Sequence, residues 1–300
     1  MNCLFVYNPQ SGKGNLIKYL PFIEEKLKDR FEEVTISPSK CVGDIKEQAS
    51  NACGKYDYLI FAGGDGSFNE VLNGICEKEN MPILGYIPTG TVNDIARSLK
   101  IPRSSVKKCV KKLVSYSERK LDVMKVNDKY AEYEICAGAL TSCSYKAPRK
   151  AKVNYGRLAY AFECLKNNLK LKDFEIEITS NGETIKTNCE FIIFLNSKSV
   201  ASMRVNPKAV LDDGEVEALI IKQVKRPKWY HKFLAFFNVL GFFVFGYNSA
   251  KRKMIYTKLK GSSFKVNAPN DLVWNYDGEE GQKGNLEITV LKEHIRILSK

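Results

Sequence analysis

A short glycine-rich stretch, GGDGSFNE at residues 63–70, places an acid where protein chains usually bind anions. The run YDYLIFA before it favours a strand, and Ser67 and Glu70 have the spacing of a capping box, which predicts a helix with Ser67 as its N-cap. Glycine N–H groups and a helix N-terminus attract phosphate. Asp65 would repel that phosphate unless a cation lay between them, and Mg²⁺ binds one or two carboxylates together with phosphate oxygens. The stretch therefore indicates a site for a magnesium-bound nucleotide.

Two further loops repeat this pattern. In the segment GYIPTGTVNDIARSL (85–99), a strand is followed by a glycine turn and then by a helical pattern. Thr91 and Asp94 have the same hydroxyl-x-x-acid spacing as Ser67 and Glu70. The first strand, CLFVY, ends in Asn8-Pro9-Gln10-Ser11-Gly12. The carboxyl ends of parallel strands meet at one edge of a sheet, so we expect the three loops to lie together. Each loop alone is also consistent with an ordinary turn.

Two later acidic motifs each have two interpretations. In VWNYDGEEG the pair Asp277 and Glu279 flanks a glycine, which is typical of a hairpin turn but also lets both carboxylates reach one cleft. Phosphoryl transfer needs a group that orients or deprotonates the acceptor alcohol. The motif LDDG (211–214) is typical of a type I turn and also suits a hard cation.

The surrounding elements change character near residue 120. Before it, short apolar strands alternate with helical patterns, which predicts an α/β domain with a parallel sheet and helices on both faces. After it, strands alternating in twos predict a β-rich domain of sandwich or barrel type, with a hairpin turn at SNGE (180–183) and a helix at 156–169. We expect a nucleotide-binding domain at 1–122, a β-rich substrate domain at 123–291, a return of 292–300 to the first domain, and an active site in the cleft between them.

Composition restricts the partners and the compartment. The net charge of +13 favours an anionic partner, although a lysine-rich solvated surface would also explain it. The nine cysteines form no CxxC motif and only two histidines occur, which argues against structural zinc and for a reducing cytoplasm. The apolar segment 229–247 is shorter in its uncharged part than the roughly 20 residues of a membrane-spanning helix, so it predicts a buried or interfacial helix.

Four motifs in order resemble the diacylglycerol kinase catalytic family. They are NP-x-SG-x-G at the start, GGDGS-x-NE, P-x-GT-x-ND and a late DGE. This family includes soluble bacterial lipid kinases and the sphingosine and ceramide kinases, and the resemblance covers essentially the whole chain. GGDG alone would also fit NAD kinases and phosphofructokinases. No GxxxxGK[ST] motif occurs, and no GxGxxG motif opens a helix, so neither a P-loop nor a Rossmann dinucleotide site is supported.

The resemblance implies specific roles. ATP would contact Asn8, Pro9, Gln10, Ser11, Gly12, Ser39, Gly63, Gly64, Asp65, Gly66, Ser67, Asn69 and Thr91. Asp65, Asp94 and Asp122 would hold the catalytic Mg²⁺, and either Asp277 or Glu279 would accept the proton of the lipid hydroxyl. A structural Mg²⁺ would be bound by the Asp213 side chain and by the carbonyls of Val210 and Glu215. One departure is the segment NSKSVASMRVNPKA, where the family usually has a glycine run before its proline.

The expected function is therefore ATP- and Mg²⁺-dependent phosphorylation of diacylglycerol, or a similar lipid, to phosphatidic acid. We expect a cytoplasmic protein that touches the anionic inner membrane surface peripherally, and the family suggests a homodimer. Candidate docking bases are Lys13, Lys18, Arg149, Lys150 and Lys152; the segment 145–157 fits an interfacial loop or a solvated connection equally. The alternatives are another lipid acceptor (phosphatidylglycerol, ceramide or a sphingoid base), a nicotinamide nucleotide kinase, or a silent nucleotide- or membrane-binding regulator. No helix-turn-helix signal occurs, so nucleic acid is not an expected partner.

Overall fold

A computed structural model of the chain describes residues 1–11, 15–138, 173–223, 228–247 and 255–300, with only the backbone for 228–236. The elements of the first part are β1 (Asn2–Tyr7), α1 (Leu20–Lys28), β2 (Glu33–Pro38), α2 (Asp44–Ala52), β3 (Tyr58–Gly63), α3 (Asp65–Ile75), β4 (Ile83–Pro88), α4 (Asp94–Ser98) and α5 (Val106–Leu113). Those of the second part are β5 (Ser117–Val126), β6 (Lys129–Ala131), β7 (Glu134–Gly138), β8 (Phe174–Ser180), β9 (Glu183–Leu195), β10 (Val216–Lys222), α6 (Lys228–Phe245), β11 (Tyr256–Gly261), β12 (Ser263–Asn267), β13 (Val273–Tyr276), β14 (Glu279–Lys283) and β15 (Leu286–Ser299).

The first part is a parallel sheet in the order β2-β1-β3-β4. All six residues of β3 and of β4 are buried, because helices cover both faces; such strands are apolar without alternation. Helix α1 packs with α5, and α2 packs with α3. The predicted parallel sheet with helices on both faces is confirmed, and all four strands end at the same edge.

The second part is β-rich, as predicted, and mostly antiparallel. The sheet continues in the order β14-β13-β7-β9-β8-β12-β15, and β10 pairs with β9 and β11. Strand β9 is buried on both faces: Ile192 and Phe194 belong to one core with Trp274, whereas Phe191 belongs to a second core with Phe242 of α6. This two-sided burial explains why the last residues of β9 are apolar throughout.

The predicted hairpin between β8 and β9 is present. Asn181 and Gly182 have φ angles of 52° and 80°, and both residues tolerate the left-handed backbone that such a turn requires. The helix predicted at 156–169, the loop at 145–157 and Gly12 lie outside the described residues.

Strand β15 joins the two parts of the molecule. It pairs antiparallel with β5 and β12 and parallel with β4, where Ile297 is the partner of Leu84. Strand β5 itself runs without interruption across residue 122. The parallel and antiparallel parts are therefore portions of one continuous hydrogen-bonded sheet.

The apolar segment 229–247 is largely helical, as predicted, and forms most of α6. Val239 and Phe242 are buried in the core beneath β9 and β10, whereas Phe237, Val244 and Phe245 are exposed. Within the described ranges, no helix has both the length and the apolar character needed to cross a membrane.

Candidate functional site

The loops after the parallel strands meet at one edge of the sheet, here called the loop edge (residues 8–11, 39, 63–67 and 89–93). The amide of Thr89 donates to the carbonyl of Gly63 at 2.8 Å, and the hydroxyls of Ser11 and Thr89 are 2.6 Å apart. The amide of Ser39 donates to the carbonyl of Tyr7 at 2.8 Å. The loop edge carries the residues predicted to bind nucleotide: Asn8, Pro9, Gln10, Ser11, Ser39, Gly63, Gly64, Asp65, Gly66, Ser67 and Thr91.

Close backbone approach explains why glycines occupy these loops. A β-carbon on Gly90 would lie 2.5 Å from the Cα atom of Gly64, closer than folded proteins allow. A β-carbon on Gly63 would overlap the side chain of Ser67. The absence of a side chain at Gly90 therefore allows the two loops to touch. A β-carbon on Gly64 would be tight at 3.3 Å from the Cα atom of Gly90, and the backbones come together at the start of α3.

Helix α3 begins three residues earlier than the sequence predicts. Its first residue is Asp65 and its N-cap is Gly64, which has no side chain to cap with. The predicted capping box is wrong because its members have other partners. Ser67 lies against a glycine of the loop edge, and Glu70 lies near the backbone amides at the start of α2, which act against the rise that burial causes in its pKa.

Helix α4 also lacks its predicted cap. It begins at Asp94, and its N-cap is Asn93 rather than Thr91. Asn93 has a φ of 54°, donates from its side-chain amide to the carbonyl of Gly90 at 2.7 Å, and lies 3.2 Å from the Tyr86 hydroxyl, which donates to it. Asn93 thus holds the loop in shape. The asparagine preference for left-handed turns was the signal available in the sequence.

Asp65 is the acid with the most perturbed environment on the loop edge. Burial, together with the nearby charges of Asp94 and Asp277, raises the pKa of Asp65 to about 7. The hydrogen bond that it accepts from the amide of Ile95 is long at 3.4 Å. A carboxylate in this position is costly when ionised without a counter-charge, so the site favours a bound cation.

Asp94 connects the loop edge to the β-rich part of the molecule. Its two carboxylate oxygens accept from the amide of Ser202 at 2.9 and 3.2 Å. Burial raises the pKa of Asp94, while this amide and the charge of Arg97 oppose the rise. Ala201 and Ser202 have φ angles of 50° and 66°. They lie in the segment NSKSVASMRVNPKA, and their backbone conformation is one that favours glycine.

Asp122, the third acid of the predicted network, hydrogen-bonds the LDDG loop and β15. Its carboxylate accepts from the amide of Gly214 at 2.6 Å and from the amide of Glu293 at 2.7 Å. The charges that raise its pKa come from the LDDG loop. Asp122 therefore fixes that loop and the irregular part of β15, a structural use of its carboxylate.

Asp277 is both a hairpin residue and a buried carboxylate. It has a φ of 51° in the turn between β13 and β14. Its oxygens accept from the backbone amides of Glu132, Tyr133 and Glu134 at 2.9–3.1 Å, and from the side-chain amide of Asn69 at 2.8 Å. The acid is thus fully used in holding three segments together. The side-chain amide of Asn69, a residue predicted to contact nucleotide, donates to Asp277 and to the carbonyl of Tyr130.

Glu279 has the opposite environment. Its side chain is exposed, and Oε1 lies 3.6 Å from where a β-carbon on Gly66 would be. The carboxylate therefore faces the first turn of α3, next to Asp65. Of the two candidate acids on this hairpin, Glu279 is the one that is free of backbone hydrogen bonds and directed at the loop edge.

Two buried acids were missed by sequence reasoning. Glu132 lies between β6 and β7, Glu134 is the first residue of β7, and burial raises the pKa of each well above its usual range. The charges of Asp94, Asp277 and Asp65 raise the pKa of Glu134 further. The sequence AEYEI places these two acids at alternating positions, so that both lie on the same face of a strand. Alternation alone does not say whether that face is buried.

The predicted structural metal site is filled by a lysine. The Nζ atom of Lys260 lies 2.7 Å from Oδ2 of Asp213 and 3.1 Å from Oε2 of Glu215. Asp213 also accepts from the amide of Glu215 at 3.1 Å, while Val210 is 47% exposed. Because an ammonium already neutralises the carboxylates, these residues do not fit a divalent cation. Elsewhere in the described ranges, no group of three or more His, Cys, Asp or Glu residues could hold a metal ion.

Comparison with known proteins matches both parts of the chain. Residues 2–126 match the diacylglycerol kinase catalytic domain, and residues 134–299 match the YegS C-terminal NAD kinase beta sandwich-like domain. The chain is 31% identical over 295 residues to a diacylglycerol kinase of Bacillus subtilis (strain 168), covering 98% of this chain and 94% of the relative. It is 33% identical over 301 residues to a diacylglycerol kinase of Staphylococcus epidermidis (strain ATCC 12228 / FDA PCI 1200), covering 98% and 90%.

Solved structures show the same fold. A crystal structure of a diacylglycerol kinase from Bacillus anthracis str. Sterne aligns with a TM-score of 0.81 at 22% identity, covering 100% of this chain and 97% of that one. The fold, the order of the loops and the full-length sequence similarity agree, and the chain belongs to the diacylglycerol kinase family.

Proposed function

We propose that this protein is an ATP- and Mg²⁺-dependent lipid kinase that phosphorylates the free hydroxyl of diacylglycerol, giving phosphatidic acid. The observation that carries the proposal is the position of Glu279. Its carboxylate faces Gly66 across the cleft, at the helix end where glycine loops converge. An acid in reach of an anion site is what transfer from a bound phosphate to an alcohol requires.

The loop edge is suited to hold the triphosphate. Gly64 and Gly90 bring two backbones together at the N-terminus of α3, where free amides and the helix dipole attract anions. The hydroxyls of Ser11 and Thr89 lie beside them and can donate to phosphate oxygens. We assign nucleotide binding to residues 1–122 and acceptor binding to residues 123–291.

The acids fit a magnesium ion that arrives with the nucleotide. The raised pKa of Asp65 indicates a carboxylate that a cation would stabilise in its ionised form. Because the described residues contain no three-ligand metal cluster, the ion needs phosphate oxygens and waters to complete its coordination. When bound, Mg²⁺ would neutralise charge on the transferred phosphoryl group.

Glu279 is the proposed general base. It accepts the proton of the acceptor hydroxyl as the oxygen attacks the γ-phosphoryl group, and the bond from the γ-phosphorus to the β,γ-bridging oxygen breaks to release ADP. Asp277 positions it, because four hydrogen bonds fix the turn from which Glu279 projects. Asp277 cannot itself reach the acceptor while those bonds are made.

The proposed acceptor resides in a membrane, so the protein must reach a bilayer. We propose a cytoplasmic location with peripheral contact at the inner, anionic surface, for which the net charge of +13 is suited. The homodimer suggested by the family resemblance is part of the same proposal.

A nicotinamide nucleotide kinase is the second candidate, because the model matched by residues 134–299 is described as NAD kinase-like. The purified protein should be tested with ATP, Mg²⁺ and micelles of diacylglycerol, phosphatidylglycerol, ceramide or sphingosine, with product mass measured. We expect phosphatidic acid from diacylglycerol and no product when NAD replaces the lipid. Phosphorylation of NAD in the absence of lipid would refute the proposal, as would ATP consumption that no lipid stimulates.

A further inference from the structure

Tyr133 lies immediately before β7, in the segment whose backbone amides bind the carboxylate of Asp277. Its side chain is 5% exposed and belongs to the core of the parallel part, together with Tyr130. Its own amide donates to Oδ1 of Asp277 at 3.0 Å, and its carbonyl accepts from the amide of Asn196 at 3.0 Å. Backbone bonds on both sides and a packed ring therefore fix the position of the Tyr133 hydroxyl before any ligand binds.

The hydroxyl of Tyr133 makes no hydrogen bond with the residues that the structure describes. A buried tyrosine normally finds a partner for its O–H group. The hydroxyl of Tyr116 also lacks a partner, but its oxygen is fully enclosed by protein, whereas the oxygen of Tyr133 is not. The O–H group of Tyr133 is therefore an unused donor that a ligand can reach.

This unused donor lies beside the turn that carries the proposed base. The hydroxyl oxygen of Tyr133 is 3.6 Å from where a β-carbon on Gly278 would be. Gly278 stands between Asp277 and Glu279 in the chain, and Oε1 of Glu279 is at the same distance from where a β-carbon on Gly66 would be. A ligand group between Glu279 and the loop edge would therefore lie close to the hydroxyl.

Acidic side chains surround the hydroxyl and keep it protonated. Burial, together with the charges of Glu134, Asp65, Asp277 and Asp94, raises the pKa of Tyr133 well above its usual range. The phenol therefore retains its proton at neutral pH and can donate it in a hydrogen bond, which an ionised carboxylate cannot do. Among the acids of the cleft, Tyr133 is thus a neutral donor.

We propose that the hydroxyl of Tyr133 donates a hydrogen bond to a non-bridging oxygen of the γ-phosphoryl group during its transfer. The phosphorus leaves the β,γ-bridging oxygen of ATP and bonds to the acceptor oxygen, Glu279 takes the acceptor proton, and Tyr133 keeps its own. A donor that is fixed in advance stabilises charge on the group in transfer. The acceptor alcohol is a poorer partner, since donation to its oxygen would weaken its attack. The inference rests on the proposed function and adds a donor to it.

The test compares two tyrosine variants of the full-length protein with ATP, Mg²⁺ and diacylglycerol micelles. Tyr133→Phe should lower kcat by about 100-fold and leave KM for ATP and for the lipid unchanged. Its melting temperature should not fall, because the hydroxyl makes no bond within the described protein. Tyr116→Phe is the matched control, since it also removes a hydroxyl without a partner, and it should turn over as the wild type does.

A binding measurement separates this inference from the identity of the lipid. ADP with Mg²⁺ and aluminium fluoride mimics the phosphoryl group in transfer. By calorimetry, Tyr133→Phe should bind this mimic at least about tenfold more weakly than the wild type does, and ADP alone equally well. Undiminished kcat, or a raised KM for the lipid with unchanged kcat, overturns the role of Tyr133 and leaves the lipid kinase standing. A wild type that phosphorylates no lipid refutes the proposed function, and equal binding of the mimic by both proteins then overturns this inference as well.

Discussion

The side-chain amide of Asn69 donates to the carboxylate of Asp277 at 2.8 Å, and this bond ties helix α3 to the hairpin that presents Glu279. The two residues are 208 positions apart in the chain. The position of Glu279 therefore depends on a contact between the parallel and antiparallel parts of the molecule.

This arrangement separates the roles of the two hairpin acids. Glu279→Gln should lower kcat by at least about 100-fold with no change in melting temperature, because its carboxylate makes no structural bond. Asp277→Asn should lower the free energy of unfolding by about 2–3 kcal/mol, since backbone amides lose a charged acceptor. Glu280→Gln, at the exposed neighbour, is the control for both measurements. Wild-type turnover in Glu279→Gln would rule out its role as base.

The raised pKa of Asp65 predicts a pH dependence of stability. The value is about 7 in the folded protein against 3.8 ordinarily, so the folded state holds the proton more tightly. Stability from this group is therefore present at low pH and lost as the pH rises from about 4 to about 7. Asp65→Asn should be more stable than the wild type at pH 7 by about 2 kcal/mol, and the gap should close towards pH 4. Thermal unfolding without nucleotide or metal measures this; a gap that stays constant with pH would contradict it.

The left-handed backbone at residues 201 and 202 predicts that glycine stabilises the protein there. Ala201→Gly and Ser202→Gly should each raise the free energy of unfolding by about 0.5–1 kcal/mol, and Ser202→Gly keeps the amide that binds Asp94. The matched control is Ser263→Gly, in a strand, which should destabilise by a similar amount. Urea unfolding measures the change in the free energy of unfolding, which should be positive for the loop variants and negative for the strand control. Destabilisation by both loop variants would show that this backbone conformation is absent in solution.

The ammonium group of Lys260 neutralises the acids of the LDDG loop, so we expect the stability of this loop not to depend on a metal ion. Lys260→Gln should cost about 0.5–1 kcal/mol, a modest amount because the side chain is 42% exposed. Ca²⁺ should raise the melting temperature of Lys260→Gln more than that of the wild type, since Asp213 and Glu215 then lack a counter-charge. Adding Asp213→Asn should remove this difference. A wild-type protein that loses stability in EDTA would contradict the expectation.

The sequence predicted features that depend on neighbouring residues, and it did not predict contacts between residues far apart in the chain. The buried strands and the glycine loops were predicted because apolar runs and turn residues act locally. The capping box at Ser67 and Glu70 failed because the helix begins at Asp65, which places Ser67 inside the first turn, and because Glu70 lies near the amides at the start of α2.

Long-range partners could not be found in this way. Lys260 and Asp213 are 47 residues apart and meet because β10 and β11 pair in a register that places Glu217 opposite Lys260. Asp122 reaches Gly214 across 92 residues, through the path of β5. Neither spacing has a periodicity that the sequence displays, so these two contacts became visible only in the fold.

The placement of β15 has a consequence for how the chain matures on the ribosome. This strand lies between β4 and β5, yet it is synthesised after every other described strand. The emerging amino-terminal sheet must therefore wait with an open edge at β4 until residues 286–299 leave the exit tunnel. Pairings of such long sequence separation form slowly, and an edge left unprotected during that interval is a point at which chaperones would be expected to engage.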